Sequence, residues 1–176
     1  SFVHRLVDAE TPIEDLIGHP ADALRAHSSL PDLRIPRPPE IYGSERRNSR
    51  GHNLAVLSDL RPFQQGLERW AEHQWKATPI VNGERCDSNT RTRVINPHNS
   101  DRVAGEIAWS RQDIVEKALS TAHEAFESWN RTPAEERAKC LEAYADLLEA
   151  NEHELIALCS REAGKSLPDG IAEVRE

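Results

Sequence analysis

Residues 163–166 carry the side chains most suggestive of chemistry, because Ala163-Gly164-Lys165-Ser166 resembles the end of a phosphate-binding loop. The complete loop pattern requires another glycine five residues before Gly164, where this chain has Cys159. A phosphate-binding loop also follows a strand, whereas the residues before Gly164 have the pattern of a helix. The sequence therefore predicts that Gly164 ends a helix in the left-handed conformation and that no nucleotide phosphate binds there.

The three cysteines, Cys86, Cys140 and Cys159, could supply nucleophiles, metal ligands or disulfides. Their odd number and wide spacing argue against a disulfide framework or a structural zinc site, and the eight histidines show no metal-ligand spacing. No histidine accompanies Cys140 or Cys159 in a nucleophile motif. We therefore predict reduced thiols, with Cys140 and Cys159 packed as small apolar side chains.

Glutamates are frequent between Glu116 and Glu154 and could in principle form a pair of catalytic carboxylates. Their spacing places them on the polar faces of amphipathic helices, and Glu135 and Glu154 are predicted to cap helices. The residue chemistry therefore identifies no catalytic residue and no cofactor-binding residue in this chain.

The composition is typical of a helix-rich chain, since 38% of its 176 residues are hydrophobic and 30% are charged. The net charge is −8, and acidic residues outnumber basic residues by 15 to 7 from Gln112 to Glu176. This balance argues against a nucleic-acid-binding surface, which needs clustered basic charge. No apolar run approaches the roughly 20 residues of a membrane helix.

The elements that must position any site begin with a segment rich in helix-breaking residues. Four prolines between Leu30 and Gly43 predict an extended strap, because proline restricts its own backbone and that of the preceding residue. Apolar residues then recur at helical spacing between 53 and 76, with Pro62 marking a first turn or a kink. We interpret 53–76 as a connector helix whose tryptophans pack on a neighbouring surface.

The residues from 77 onward have the pattern of the start of a domain. Residues 79–81, 93–95 and 103–109 are short strand candidates, and Asn82-Gly83 is a turn signal. Amphipathic helices are predicted over 111–129, 133–150 and 152–163, capped by Ser110, by a capping box from Thr132 to Glu135 and by Asn151. Pro168-Asp169 begins a fourth helix. The predicted fold class is mainly α-helical, with a few short strands and an extended proline-rich linker.

From Val94 onward the chain resembles the start of the aldehyde dehydrogenase superfamily. Each motif is short, but the order and spacing of the motifs are specific. The matching positions are Ile95-Asn96-Pro97, Gly105-Glu106-Ile107, Asp113-Ile114, Ala118, Ala122, Ala125-Phe126, Trp129, Pro133, Arg137, Leu141, Ala145, Leu148, Glu149, Arg161-Glu162-Ala163-Gly164-Lys165 and Ala172-Glu173-Val174. The resemblance implies an α/β parent fold, in which these residues belong to the NAD-binding domain.

The first 78 residues resemble part of another enzyme. Ser1-Phe2-Val3-His4-Arg5 is similar to the sequence after the arginine pair of the proline dehydrogenase barrel. The positions that resemble the segment leaving that barrel are Pro38, Tyr42-Gly43, Arg47-Asn48-Ser49 and Gly51. This order is similar to that of the bifunctional proline utilization A family. It implies a proline dehydrogenase tail over 1–52, a linker helix over 53–78, and the truncated start of an aldehyde dehydrogenase NAD-binding domain over 79–176.

The resemblance implies a parent enzyme that oxidises proline to glutamate in two steps. A proline dehydrogenase with FAD passes electrons from proline to membrane quinone, and the product hydrolyses to glutamate semialdehyde. An NAD-dependent dehydrogenase then oxidises the semialdehyde through a cysteine thiohemiacetal. The implied parent is cytoplasmic, peripheral at the inner membrane and homo-oligomeric, with no nucleic-acid partner in this segment.

The family's catalytic and cofactor-binding residues have no counterpart here, since the resemblance places them before Ser1 or beyond Glu176. We therefore expect this chain to have neither activity alone. Glu162 is the one candidate site residue, because some aldehyde dehydrogenases have a carboxylate near a monovalent cation at this position. The alternative for Glu162 is a surface glutamate at a helix end.

Two other interpretations remain open: the start of a monofunctional aldehyde dehydrogenase with an unrelated extension, and a non-catalytic helical interaction module. The chain has no methionine and ends within a helical pattern, so we expect both ends to be cuts. The sheet that such helices cover would then lie past Glu176. We therefore expect the helices over 111–129 and 133–150 to lack partner surface, and the isolated chain to be marginally stable.

Overall fold

The computed structural model describes residues 2–26 and 35–176, which divide into two compact units, Ser1–Asn48 and Ser49–Glu176. The described part of the first unit contains the short helices α1 (Phe2–Val7), α2 (Ile13–Ile17) and α3 (Pro20–Ala26) and a 3-10 turn at Pro38–Glu40. No residue of α2 or α3 is buried. The described residues of this unit therefore form no apolar core of their own.

The predicted strap from Leu30 to Gly43 is only partly covered, because its residues up to 34 lie outside the described residues. Within the remainder, the extended conformation is wrong at Pro38–Glu40, which forms a 3-10 turn. The Glu40 N–H donates to the Arg37 carbonyl oxygen at 2.8 Å, and the Gly43 N–H donates to that of Glu40 at 2.9 Å. The backbone angle that proline imposes is compatible with a helical turn as well as with an extended chain.

The second unit begins with helix α4 (Leu57–Glu68), which is followed by five short strands. The strands are β1 (Trp75–Ala77), β2 (Ile80–Val81), β3 (Glu84–Arg85), β4 (Arg91–Ile95) and β5 (Val103–Ala108). One sheet has the order β1-β5-β4, with β1 parallel and β4 antiparallel to β5. The other is the β2-β3 hairpin, whose turn residues Asn82 and Gly83 have φ angles of 52° and 77°.

Two features of the connector differ from the prediction. Trp75 lies in strand β1 rather than in the connector helix, because its backbone pairs with Gly105 of β5. Pro62 lies in the second turn of α4 rather than in the first, and the alternative that it marks a kink stays a prediction. Helix α4 therefore lacks the bond that residue 62 would donate to the Ser58 carbonyl.

Four helices complete the second unit: α5 (Gln112–Arg131), α6 (Ala134–Ala150), α7 (Glu152–Ala163) and α8 (Leu167–Arg175). The three helices predicted over 111–129, 133–150 and 152–163 are confirmed, with ends within two residues of those observed. The predicted fourth helix is α8. The fold class, mainly helical with a few short strands, is therefore also confirmed.

The predicted side-chain caps of α5, α6 and α7 are wrong, because the residue before each helix makes no side-chain cap hydrogen bond. Arg111 rather than Ser110 precedes α5. The Thr132 hydroxyl donates to the Ser128 carbonyl oxygen of α5 at 3.1 Å, so the capping box does not form. The Asn151 amide similarly donates to the Leu147 carbonyl oxygen of α6 at 2.8 Å. The side chains of Thr132 and Asn151 therefore hydrogen-bond to the helix that ends before them, rather than to the helix that begins after them.

The core of the second unit lies between α4, α7 and α8. Its buried side chains are Phe63, Ile156 and Ile171, and partly buried apolar residues surround them, namely Leu54, Leu67, Leu167 and Val174. The apolar stripes of α5 and α6 are not part of this core. Phe126 is 62% exposed and Leu141 is 72% exposed, as expected for helices that lack partner surface.

Candidate functional site

The motif residues of two distant segments meet at the end of α7. Gly164 ends the helix in the predicted left-handed conformation, with φ 69° and ψ 21°. The N–H groups of Gly164 and Lys165 donate to the carbonyl oxygens of Ser160 and Cys159 at 3.1 and 3.4 Å. A Cβ atom at position 164 would lie 3.0 Å from Pro97 Cγ, so the turn after β4 packs directly on this helix end.

Lys165 and Ser166 both have partners within the fold. The Lys165 ammonium donates a hydrogen bond to the Glu173 carboxylate of α8, and this bond raises the pKa of Lys165. Ser166 Oγ accepts from the Asp169 N–H at 3.3 Å and donates to its carboxylate at 2.6 Å, which caps α8. These contacts, and the helix before Gly164, support the prediction that this is a helix junction rather than a phosphate site.

Arg161 connects α7 to two neighbouring elements through side-chain hydrogen bonds. Its Nη1 donates to the Trp70 carbonyl oxygen at 2.7 Å and to that of His73 at 2.5 Å, both in the segment after α4. Its Nη2 donates to the Val103 carbonyl oxygen of β5 at 3.4 Å. The guanidinium carbon also lies 5.0 Å from the centroid of the Trp75 ring. Arg161 therefore donates hydrogen bonds to backbone carbonyl oxygens of both the loop after α4 and strand β5.

The Trp75 indole connects β1 to α7, so the expectation that a tryptophan packs on a neighbour is confirmed for this residue. Its Nε1 donates to Glu154 Oε1 at 3.0 Å. Its ring stacks on Trp70 with centroids 6.5 Å apart, and the edge of His73 contacts both rings. The predicted cap role of Glu154 is wrong, because its carboxylate binds the indole.

Glu162 lines a cleft of about 250 Å³ between α7 and the β1-β5-β4 sheet, together with Trp75, Glu106 and Leu158. The second carboxylate of the cleft, Glu106, accepts a hydrogen bond from Arg91 at 2.8 Å. Within residues 2–26 and 35–176, no group of three His, Cys, Asp or Glu side chains could hold a metal ion. The role of Glu162 near a monovalent cation therefore stays a prediction.

The cysteines differ from one another in their surroundings. The predicted packing of Cys140 is wrong, because its side chain is exposed on α6 and its Sγ contacts the Glu136 carbonyl oxygen at 3.6 Å. Cys159 is half-buried, and this burial raises the pKa of its thiol. A raised pKa lowers the fraction of thiolate at neutral pH, which fits the predicted role of Cys159 as a packed side chain.

A buried charged cluster at the start of α7 was not predicted from the sequence. Glu152 is only 7% exposed, and its carboxylate contacts Arg50 and His52, roughly a hundred positions earlier in the chain. Arg50 belongs to a local basic group, Arg46, Arg47 and Arg50, that the sequence pattern predicts to be a solvated loop, and His52 belongs to no predicted motif. Only the tertiary structure brings these charges together.

Replacing Gly164 by alanine is expected to lower the free energy of unfolding by about 1–2 kcal/mol, because a Cβ atom disfavours the left-handed conformation. Thermal unfolding followed by far-UV circular dichroism measures this loss. Gly164→Asn is the matched control, since asparagine tolerates the left-handed conformation but also places a Cβ atom beside Pro97. An equal loss in both variants would assign the effect to the Pro97 contact instead.

No helix in the part of the chain that the structure describes is both long enough and apolar enough to cross a membrane.

The sheet, the helix junction at Gly164 and the order of the motifs define a known class of protein. Residues 84–176 match the aldehyde dehydrogenase family, and the chain belongs to this family. Over its whole length it is also 35% identical to the bifunctional protein PutA of Salmonella typhimurium. The chain spans 14% of the length of that curated relative.

Two solved structures show the same fold. A 1-pyrroline-5-carboxylate dehydrogenase from Thermus with bound NAD has a TM-score of 0.68 and 28% identity, covering 73% of this chain and 25% of its own. Proline utilization A from Bdellovibrio bacteriovorus has a TM-score of 0.71 and 23% identity, covering 99% of this chain and 17% of its own. The two differ in how much of this chain their similarity covers.

Proposed function

We propose that this chain is an internal part of a bifunctional enzyme that oxidises proline to glutamate. Its activities would be a proline dehydrogenase and an NAD-dependent glutamate-semialdehyde dehydrogenase. The observation that carries the proposal is the extent of the similarity. The bifunctional relatives match both compact units, whereas the Thermus dehydrogenase leaves about a quarter of the chain uncovered.

The proposed division of the chain assigns 1–52 to the end of the proline dehydrogenase domain, 53–78 to the connector and 79–176 to the start of the NAD-binding domain. The boundary between the compact units after Asn48 supports this division, because it lies close to the end of the first segment. The connector contains α4 and β1, so it contributes a strand to the sheet as well as a helix.

The proposed role of these residues is to support an active site that other parts of the enzyme supply. Arg161 and Trp75 join the connector, the sheet and α7. The exposed apolar stripes of α5 and α6 offer packing surface to further parts of an aldehyde dehydrogenase fold. We therefore expect mutations in this chain to change the enzyme's activity by altering folding and domain packing, rather than by removing catalytic groups.

The cofactors and partners of the whole enzyme follow from the same proposal. NAD would accept hydride in the dehydrogenase half, and the Thermus neighbour was solved with NAD bound. FAD would serve the proline dehydrogenase half and pass electrons to membrane quinone. The enzyme would be cytoplasmic, peripheral at the inner membrane and homo-oligomeric, with Glu162 as a candidate ligand of a monovalent cation.

Two chimeras test the bifunctional assignment. In the first, residues 1–176 replace the matching segment of the Salmonella protein, and in the second only residues 79–176 do. We expect both chimeras to keep proline-dependent quinone reduction and semialdehyde-dependent NADH formation. If the N-terminal residues were an unrelated extension, the first chimera would lose proline oxidation while the second kept it. That outcome would refute the bifunctional assignment.

The purified 176-residue chain is expected to show no turnover in either assay. The reason is that the residues of this chain carry neither the flavin and proline site nor the nucleophile motif that the two reactions need. The measurements are quinone reduction with proline and NADH formation with glutamate semialdehyde. Turnover that rises with protein concentration above the buffer rate would contradict the proposal that the catalytic groups lie elsewhere.

A further inference from the structure

Residues 49–54, at the start of the second unit, belong to no helix and no strand, yet they pack on the core. His52 and Leu54 are half-buried and the residue between them is exposed, which is the alternation of an extended chain. The His52 ring lies 4.7 Å from that of Phe63 between centroids, and Leu54 packs against the same core. Side chains rather than backbone pairing therefore determine the position of this segment.

The carboxylate of Glu152, the first residue of α7, also binds the segment. Its side chain is 9% exposed, and it lies 2.9 Å from Arg50 Nη2 and 3.1 Å from His52 Nε2. The Arg50 N–H donates a weak hydrogen bond to Glu149 Oε1 of α6 at 3.5 Å. A buried carboxylate has lost its hydration, so it depends on such partners more than the exposed Arg50 guanidinium does. Glu152 is therefore the more important member of the Arg50 ion pair.

Arg175, in the last turn of α8, contacts the beginning of the segment. Its Nε donates to Ser49 Oγ at 3.4 Å. A Cβ atom at Gly51 would lie 3.3 Å from Arg175 Nη1 and 3.5 Å from its Cδ, so the guanidinium lies against the backbone of this glycine. Position 51 therefore favours a residue without a side chain.

The contacts of the segment differ from what its sequence resembles. Ser49 and Gly51 are among the positions that resemble the chain leaving the proline dehydrogenase barrel. The partners described above nevertheless lie in α4, α6, α7 and α8. The boundary between the compact units also falls before the segment, after Asn48. The motif residues therefore contact helices of the part that resembles an aldehyde dehydrogenase.

We propose that residues 49–54 are a docking segment, which binds the end of the proline dehydrogenase sequence to the first helices of the aldehyde dehydrogenase part through Glu152 and Arg175. The proposal rests on the proposed function for the identity of the two parts. Charges are exchanged in both directions, since Arg50 contacts a carboxylate of α7 and Arg175 of α8 contacts the segment. These partners lie 102 and 126 positions apart in the chain, so docking requires α7 and α8 to be in place.

Apolar packing alone is the competing explanation. His52 and Leu54 would then hold the segment on Phe63, and the two arginines would contribute little, as is usual for exposed ion pairs. The two explanations differ in the result expected when a charge is removed while His52 and Leu54 are kept.

The test is the initial rate at which trypsin cuts the purified 176-residue chain after Arg50, compared with the rate after Arg47 in the same sample. Fragment masses give both rates. A protease needs locally released backbone, so a docked bond is cut slowly. Because Arg47 precedes the docking segment, we expect cutting after Arg47 to be about tenfold faster, the protection expected from a modest free energy of local opening.

Two variants remove one charge each and keep the trypsin site at Arg50. Glu152→Gln and Arg175→Gln should both raise the rate after Arg50 towards the rate after Arg47. The matched controls are Glu135→Gln and Arg131→Gln, which make the same charge changes in the first turn of α6 and the last turn of α5. Both controls should keep the ratio of the unchanged chain. Far-UV circular dichroism separates local release from unfolding, and Arg175→Gln decides if the Glu152 variant loses its helices.

Three results would overturn the docking role. One is equal cutting after Arg47 and Arg50 in the unchanged chain, because the segment would then not be docked. Another is an unchanged ratio in Arg175→Gln and in a folded Glu152→Gln, because apolar packing alone would then hold the segment. The third is an equal change in the control variants, which would indicate a general effect of charge. None of these measurements uses an enzymatic assay, so the docking role and the bifunctional assignment are tested separately.

Discussion

Replacing Phe63 by alanine is expected to lower the free energy of unfolding by roughly 3–5 kcal/mol, the usual cost of removing a buried aromatic side chain. Phe63 is 1% exposed and packs between the His52 and His153 rings, 4.7 and 5.6 Å away between centroids. A small domain has a margin of only about 5–15 kcal/mol. We therefore expect this variant to be largely unfolded in urea concentrations that the unchanged chain tolerates.

The matched control is Phe126→Ala, which removes the same side chain from the exposed face of α5. A surface substitution of this kind usually changes stability by less than about 0.5 kcal/mol. Urea unfolding followed by tryptophan fluorescence compares the two variants. Equal losses in both would mean that the α5 face is as well packed as the core between α4, α7 and α8.

The second large loss of stability is expected when Gly105 is replaced by alanine. Gly105 is the residue of β5 that pairs with Trp75. A Cβ atom there would lie 2.5 Å from the Trp75 carbonyl oxygen and 3.2 Å from its backbone nitrogen. Backbone atoms of a paired strand cannot move aside as a flexible side chain can. Gly105→Ala is therefore expected to separate β1 from β5 and to cost about 1–3 kcal/mol. Near-UV circular dichroism should also show loss of the ordered Trp75 signal.

Gly83→Ala distinguishes this clash from the general effect of a glycine replacement. Position 83 has a φ of 77° but open space around it, so only the backbone cost of about 1–2 kcal/mol applies and β1 stays paired. In an ordinary strand, alanine is more favourable than glycine by roughly 0.5–1 kcal/mol. Stabilisation by Gly105→Ala would therefore disprove the close approach of β1 to β5.

The long helices could be predicted because their periodicity is a local property. The apolar residues of α5 recur on one face whether or not anything covers that face, so the prediction holds although Phe126 is exposed. The end of α7 was predictable for a similar reason, since Gly164 adopts a conformation that other residues disfavour. The order of such motifs identified the aldehyde dehydrogenase family.

The caps and strand β1 were predicted less well, because several partners compete for the same groups. The Thr132 hydroxyl can bind a carbonyl of the helix before it or an amide of the helix after it, and it binds the former. Trp75 has helical spacing from its apolar neighbours, but its backbone pairs with β5. A strand of three residues is too short to have a recognisable sequence pattern, so its pairing with β5 could not be predicted locally.

The sequence by itself determined the helices, the left-handed turn at Gly164 and the family. Each of these depends on residues that lie close together in the chain or on motifs in a fixed order. The tertiary structure alone decided which charges are buried and what they contact. Glu152 looks like any acidic residue at the start of a helix, and its burial depends on Arg50 and His52 arriving from a distant segment. The energy of a buried charge depends on its three-dimensional neighbours, which local sequence does not specify.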